Sequence, residues 1–187
     1  MIPDSQFTNT LLNMNHRAEA CTGWLFLPGM RFEDTQAWWK DGLRQSPHEG
    51  VDLLYLADSS GQRQELPKQA RIPPLWDGEV IAVFEDFLGS TVAVRHPIID
   101  GQGWRLISLY AHIRPLVGGG EEVSAKEPLA AVAGGKVRSA SAPPDHLHLS
   151  LAWLAPGWPV AEINWPGLWS NPGIRLIDPL PLIQSDP

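Results

Sequence analysis

The chemistry-bearing residues of this chain gather in three short segments. In Pro143-Pro144-Asp145-His146-Leu147-His148-Leu149-Ser150-Leu151 the apolar alternation is that of a strand, so His146 and His148 share one face and the leucines the other. Cα atoms two apart on a strand lie roughly 6.5 Å from each other, close enough for both imidazoles to serve one centre. The second segment, His48-Glu49-Gly50-Val51-Asp52, pairs an imidazole with a carboxylate. As a helix it would mimic a metal-binding motif with Glu49 as general base, but Pro47, Gly50 and Val51 are poor helix context. As a fully extended strand it would hold His48 and Asp52 roughly 13 Å apart, too far to share a ligand. We read it as a strand entry bent at Gly50, where glycine can occupy backbone regions that close the gap. The third segment, Leu109-Tyr110-Ala111-His112-Ile113, places His112 on a strand face with Tyr110 and Ser108.

The rest of the composition narrows what those groups can do. With a single cysteine, Cys21, the chain can form no intrachain disulfide, multi-cysteine zinc site or iron–sulfur cluster, so a metal site must come from histidine and carboxylate. A net charge of −7 over 187 residues argues against nucleic-acid binding, which needs a basic stripe.

The elements that must position these residues read as β. Seventeen glycines and 18 prolines favour turns and short strands over long helices. Strands are expected over Val51–Leu56, Glu79–Phe84, Thr91–His96 (stopping at Pro97), Trp104–Ile113, Leu129–Val132 and His146–Trp153, with a closing strand or arm over Ile174–Ile183. Asp100-Gly101-Gln102-Gly103 suits a hairpin turn. Asp34 can cap a short helix over Thr35–Lys40. Residues 1–33 show no clear period. The expected fold is all-β: one antiparallel domain, barrel- or sandwich-like, with little helix. Within it, residues 1–45 form an N-terminal extension packed on a core of 46–183. A Trp- and Pro-rich excursion, with Trp153, Trp158, Trp165 and Trp169, precedes the closing element. His96 is expected to be structural or to lie at a groove rim. No apolar run has the length of a membrane span, and no signal peptide is visible.

In this order, His48-x-x-x-Asp52, Tyr110-Ala-His112 and His146-Leu-His148-Leu resemble the lysostaphin/LytM-type zinc endopeptidases, which cut peptide bonds in bacterial peptidoglycan. Asp77-Gly78-Glu79-Val80, Val92-Ala93-Val94-Arg95-His96 and Ile177-Asp178-Pro179 add to the likeness, which spans about residues 46–183. The resemblance implies that His48, Asp52 and His148 bind Zn2+ and that a water fills the fourth position. It further implies that His146 and His112 flank this water as general base and transition-state stabiliser. The implied function is a zinc metalloendopeptidase acting on peptidoglycan cross-links or stem peptides, in an extracytoplasmic compartment. The segment Lys136–Asp145 departs from the glycine- and serine-rich loop usual before the histidine pair, which bears on substrate preference. Two rivals stand beside this reading: a non-catalytic peptidoglycan-binding or hydrolase-activating module on the same fold, and a helical hydrolase using Glu49. Asn9, Asn13 and Asn15 are candidates for a segment that blocks the metal's open position.

Overall fold

Apolar and β-branched runs separated by turn residues fold here as antiparallel strands in a computed structural model that describes residues 1–134 and 142–184. Lys136–Ser141, the larger part of the divergent loop noted above, lies outside the described residues. In chain order the elements are α1 (Phe7–Met14), β1 (Cys21–Leu25), β2 (Val51–Leu53), β3 (Tyr55–Asp58), β4 (Arg63–Glu65), β5 (Arg71–Ile72) and β6 (Gly78–Glu85). Then come β7 (Ser90–Ile99), β8 (Arg105–Pro115), β9 (Glu122–Val123), β10 (Ala130–Val132), β11 (Leu147–Leu154), β12 (Ile174–Ile177) and α2 (Leu180–Ile183).

Strands β1, β3 and β4 make a three-stranded sheet in the order β1-β3-β4. The large sheet runs β12-β11-β8-β7-β6-β9, with β2 added to β11 and β10 pairing both β8 and β5. Every pairing among these strands is antiparallel, so the fold is all-β. The main core lies on the sheet face that carries Leu106, Tyr110, Leu147, Leu149 and Leu151. Phe7, Leu11 and Leu12 of α1 pack into it from the N-terminal segment. A second cluster covers the opposite face, where Ala93, Ile107, Leu109 and Ala152 meet Ile163 and Leu168 of the Trp-rich excursion. That excursion is irregular apart from two short 3-10 turns at Val160–Glu162 and Trp165–Gly167.

Several sequence expectations are corrected. Residues 35–40 form no helix: Thr35 and Ala37 pair with Arg44 and Gly42 in a hairpin-like loop. The Asp34 carboxylate turns back to accept from the amides of Gly29 and Arg31. The run Val51–Leu56 is two strands that part at Leu54 and join different sheets; it reads as continuous because both of its faces are buried. Strand β7 continues past Pro97 to Ile99, the proline falling in an irregular stretch of the β7–β8 register where its missing N–H breaks no ladder bond. Residues 1–33 contain α1 and β1, and residues 174–183 end in a helical turn rather than a strand.

His96 is buried in a closed polar network beneath the large sheet. Its Nδ1 donates to the Asp77 carbonyl at 3.1 Å, and its Nε2 faces Ser108 Oγ at 2.8 Å. Ser108 Oγ lies 2.8 Å from the Tyr110 hydroxyl, which accepts from Leu75 N. Protons running from Tyr110 to Ser108 to His96 satisfy every group with the imidazole neutral.

Candidate metal centre

Strand β11 carries His148 on the face away from the main core, with His146 directly before its first residue, and its register sets the neighbours of His148. His148 is paired with Asp52 of β2 on one side and with Ala111 of β8 on the other. Asp52 faces the histidines because Val51 and Leu53 on either side are drawn into the core. His48 enters from the bend before β2, anchored by hydrogen bonds between its backbone and Asp34 O and Glu33 N. Residues 47–50 are not helical, which removes the helical arrangement with Glu49. Gly50 matters for a different reason than the one expected, since its φ is not in the left-handed region. A Cβ there would sit 2.1 Å from Leu149 O, so glycine is required by the close approach of β2 to β11.

Three donor atoms converge. His48 Nε2 is 3.1 Å from Asp52 Oδ1 and 3.0 Å from His148 Nδ1, and His148 Nδ1 is 2.8 Å from Asp52 Oδ1. All three residues are buried. The surrounding hydrogen bonds decide what these atoms can offer. His48 Nδ1 faces the Arg31 carbonyl at 3.0 Å, so it carries the proton and Nε2 presents a lone pair. Asp52 Oδ2 accepts from Trp38 Nε1 at 2.6 Å and from Arg44 Nη2 at 3.0 Å, leaving Oδ1 for the centre. His148 Nε2 lies 2.8 Å from Ser150 Oγ. At most one proton, on His148 Nδ1, is available among three acceptors, and His48 Nε2 still faces Asp52 Oδ1 lone pair to lone pair. A divalent cation satisfies all three at once, and two imidazoles plus a carboxylate suit zinc.

The electrostatics agree with a cation site. Burial alone pushes the Asp52 carboxyl up, but the charge and hydrogen bonds of His48, His146 and His148 outweigh it and hold it well below the usual carboxylate range. Burial lowers His148 to about 3, against the opposing pull of Asp52, which keeps the ring neutral at pH 7.

Two more histidines border the cluster. His146 donates from Nδ1 to the Pro144 carbonyl at 2.7 Å, and its Nε2 lies 3.3 Å from Asp52 Oδ1. His112 lies 4.9 Å from the His146 ring and 5.9 Å from the His148 ring, centroid to centroid. Simple alternation had put it with Tyr110 and Ser108, and the structure corrects that. Tyr110 points into the main core, and Ile113 does too, so the alternation is reset between them. The cause is the left-handed backbone of His112, with φ +64, where β8 leaves β11 and turns to β10. His112 is thereby turned onto the face of His146 and His148.

The cluster floors a cleft of about 400 Å³. Its lining includes Lys40 and Leu43 of the 35–44 loop, Phe87 of the β6–β7 loop, and Trp165. Trp165 stands edge-on to His148 at 5.0 Å, and Trp169 donates to the carbonyl of Pro47, next to His48. The Trp-rich excursion therefore lines the cleft through Trp165 and is tied to the segment that carries His48 through Trp169. Sequence reasoning missed Trp38, Arg44, Asp86 and Phe87, whereas Trp165 is one of the four excursion tryptophans that could be expected to wall a groove. Ser150 was legible, since period-two alternation puts it on the face of His146 and His148. Asn9, Asn13 and Asn15 do not approach the cluster: their side chains bond to Gln6, Asn9, Leu11 and Arg71.

No family model and no curated protein matches the sequence. Among solved structures, the NMR solution structure of lysostaphin is similar, with a TM-score of 0.42 and 15% identity, covering 81% of this chain and 53% of that one. The chain thus spans about half the length of that structure. Among the described residues no helix is long and apolar enough to cross a membrane.

Proposed function

We propose that this protein is a zinc-dependent endopeptidase of the lysostaphin/LytM type that hydrolyses peptide bonds in peptidoglycan cross-links or stem peptides. The observation that carries the proposal is the meeting of His48 Nε2, Asp52 Oδ1 and His148 Nδ1 within 4.8 Å of one another at the floor of an open cleft. The order of the histidine and aspartate motifs along the chain supports the substrate class.

His48, Asp52 and His148 would hold the ion. Zinc bound there supplies Lewis acidity, which makes water a usable nucleophile near pH 7 and polarises the scissile carbonyl. His112 and His146 stand beside the cluster with Nδ1 of each committed to a fixed acceptor. Each therefore has Nε2 available, one to take a proton from the attacking water, the other, once protonated, to donate to the oxygen that gains charge. The cleft walls hold the peptide against these groups and exclude bulk water from around it.

The test is zinc quantification on purified protein, followed by incubation with sacculi and mass spectrometry of released fragments. One zinc per chain and new peptide ends are expected, with both lost in His148→Ala. If His148→Ala kept full zinc and full hydrolysis, the assignment would be wrong. A folded, zinc-free chain that binds sacculi and releases nothing would point to the non-catalytic module instead.

A further inference from the structure

Asp86 is absent from the ordered motifs, yet its carboxylate receives five hydrogen bonds beside the site. It sits in the turn between β6 and β7, with its side chain 1% exposed. Oδ1 accepts from the amides of Leu88 and Gly89, each at 2.8 Å, and lies 3.0 Å from His112 Nδ1. Oδ2 accepts from the His112 amide at 2.9 Å and from Thr91 Oγ1 at 3.0 Å. A carboxylate only accepts, so the nitrogen of His112 that faces it must be the one bearing hydrogen.

Two consequences follow for His112. The proton is fixed on Nδ1, so Nε2 is the free nitrogen. The backbone amide is tied to the same carboxylate, which holds the unusual φ of +64. A left-handed backbone strains a non-glycine residue, and hydrogen bonds to a charged carboxylate are stronger than those between neutral groups. The Asp86 contacts therefore outweigh the strain that turns His112 onto the cluster face. A second arm leaves from Thr91. Its hydroxyl proton goes to Asp86, so its oxygen lone pair is free to accept Trp165 Nε1 at 3.0 Å. Trp165 is the ring that stands against His148.

We propose that Asp86 is a positioning residue for the peptidase reaction: it sets the tautomer and direction of His112 and, through Thr91, seats Trp165 against His148. The activity part rests on the function proposed above; the tautomer part does not. Burial pushes the Asp86 carboxyl up, but its bonds to His112 and the turn amides prevail and keep it ionised, as this role needs. Asparagine is the informative replacement. It has the same shape, but an amide nitrogen in place of one oxygen faces donors with a donor.

The experiment combines histidine 15N chemical shifts with steady-state kinetics on zinc-treated wild type, Asp86→Asn, His112→Ala and the double variant. Wild type is expected to show His112 protonated on Nδ1, and Asp86→Asn to show mixed or Nε2 protonation. With sacculi-derived peptides, Asp86→Asn should lower kcat about 10–100-fold, the usual scale for partners that orient a site residue, with KM within about threefold. In the His112→Ala background the same change should cost less than about threefold, because the partner it acts through is gone. Wild-type His112 protonated on Nε2 overturns the proposal without any variant, even if Asp86→Asn fails to fold. Equal losses with and without His112 overturn it as well and mark Asp86 as only structural. A chain with no peptidase activity but the Nδ1 tautomer, lost in Asp86→Asn, defeats the proposed function and leaves the Asp86–His112 arrangement standing.

Discussion

The guanidinium of Arg44 stands 3.0 Å from Asp52 Oδ2, beside the indole N–H of Trp38 on the same oxygen. Between them they orient the carboxylate, so that Oδ1 meets the histidines. Their removal has different expected effects. Trp38→Phe deletes a donor without changing charge and should weaken zinc binding about tenfold. Arg44→Met loses orientation too, but also removes a positive charge that repels the cation, so its net loss should be smaller. Competition with a chelating indicator measures both, and a larger loss in Arg44→Met would contradict this account.

Gly50→Ala should be severe. The new Cβ would meet Leu149 O at 2.1 Å, Leu149 C at 2.7 Å and Ser150 Oγ at 2.8 Å. Backbone cannot yield there unless β2 parts from β11, and Asp52 moves with it. We expect a loss of at least about 3 kcal/mol in urea unfolding together with reduced zinc content. A change below about 1 kcal/mol would show that the strands can separate freely.

Acid should act through His96. Burial lowers it from its ordinary 6.5 to about 4, against the bond to the Asp77 carbonyl. The unfolded chain therefore binds this proton more readily between those values, and stability present above pH 6.5 is lost as pH falls toward 4. The change from pH 7 to 4.5 amounts to about 2 kcal/mol for this group. His96→Gln, which cannot take up the proton, should show a shallower decline in denaturation midpoints over that range. Parallel curves would remove His96 from the acid response.

Phe87 projects into solvent at the cleft, 76% exposed, with its ring edge-on to His112 at 4.8 Å. Covering such a ring with substrate is worth roughly 1–2 kcal/mol. Phe87→Ala should therefore raise KM about tenfold and leave kcat within about threefold. A fall in kcat at unchanged KM would mean that the ring supports His112 rather than substrate.

Glu49→Gln should leave turnover within about threefold. The Glu49 carboxylate bonds to Ser46 Oγ at 3.4 Å and takes no part in the donor cluster. A loss of several orders of magnitude in kcat would give Glu49 the role of base.

How much of this was legible beforehand depended on regular alternation. It holds from His146 into β11, so the shared face of His146 and His148 could be read from Leu147, Leu149 and Leu151. It fails in β8 at His112, because no residue pattern announces a left-handed histidine. Strands β6, β7 and β8 were visible in their apolar and β-branched runs. Helix α1 was not: Gln6 makes no side-chain cap and the first turn has no acidic residue. Trp38, Arg44, Asp86 and Trp165 lie on loops, and their contacts with Asp52, His112 and Thr91 are set by tertiary closure rather than by neighbours in sequence.

His48 and His148 are 100 residues apart, and they touch only because β2 pairs with β11. Bringing such distant segments together is a late, entropically demanding event for the folding chain. Zinc can be gripped tightly only after it, so the ion should slow unfolding while leaving the refolding rate nearly unchanged. A loaded molecule would thus be kinetically locked, and stripping the ion would shorten the lifetime of its native state.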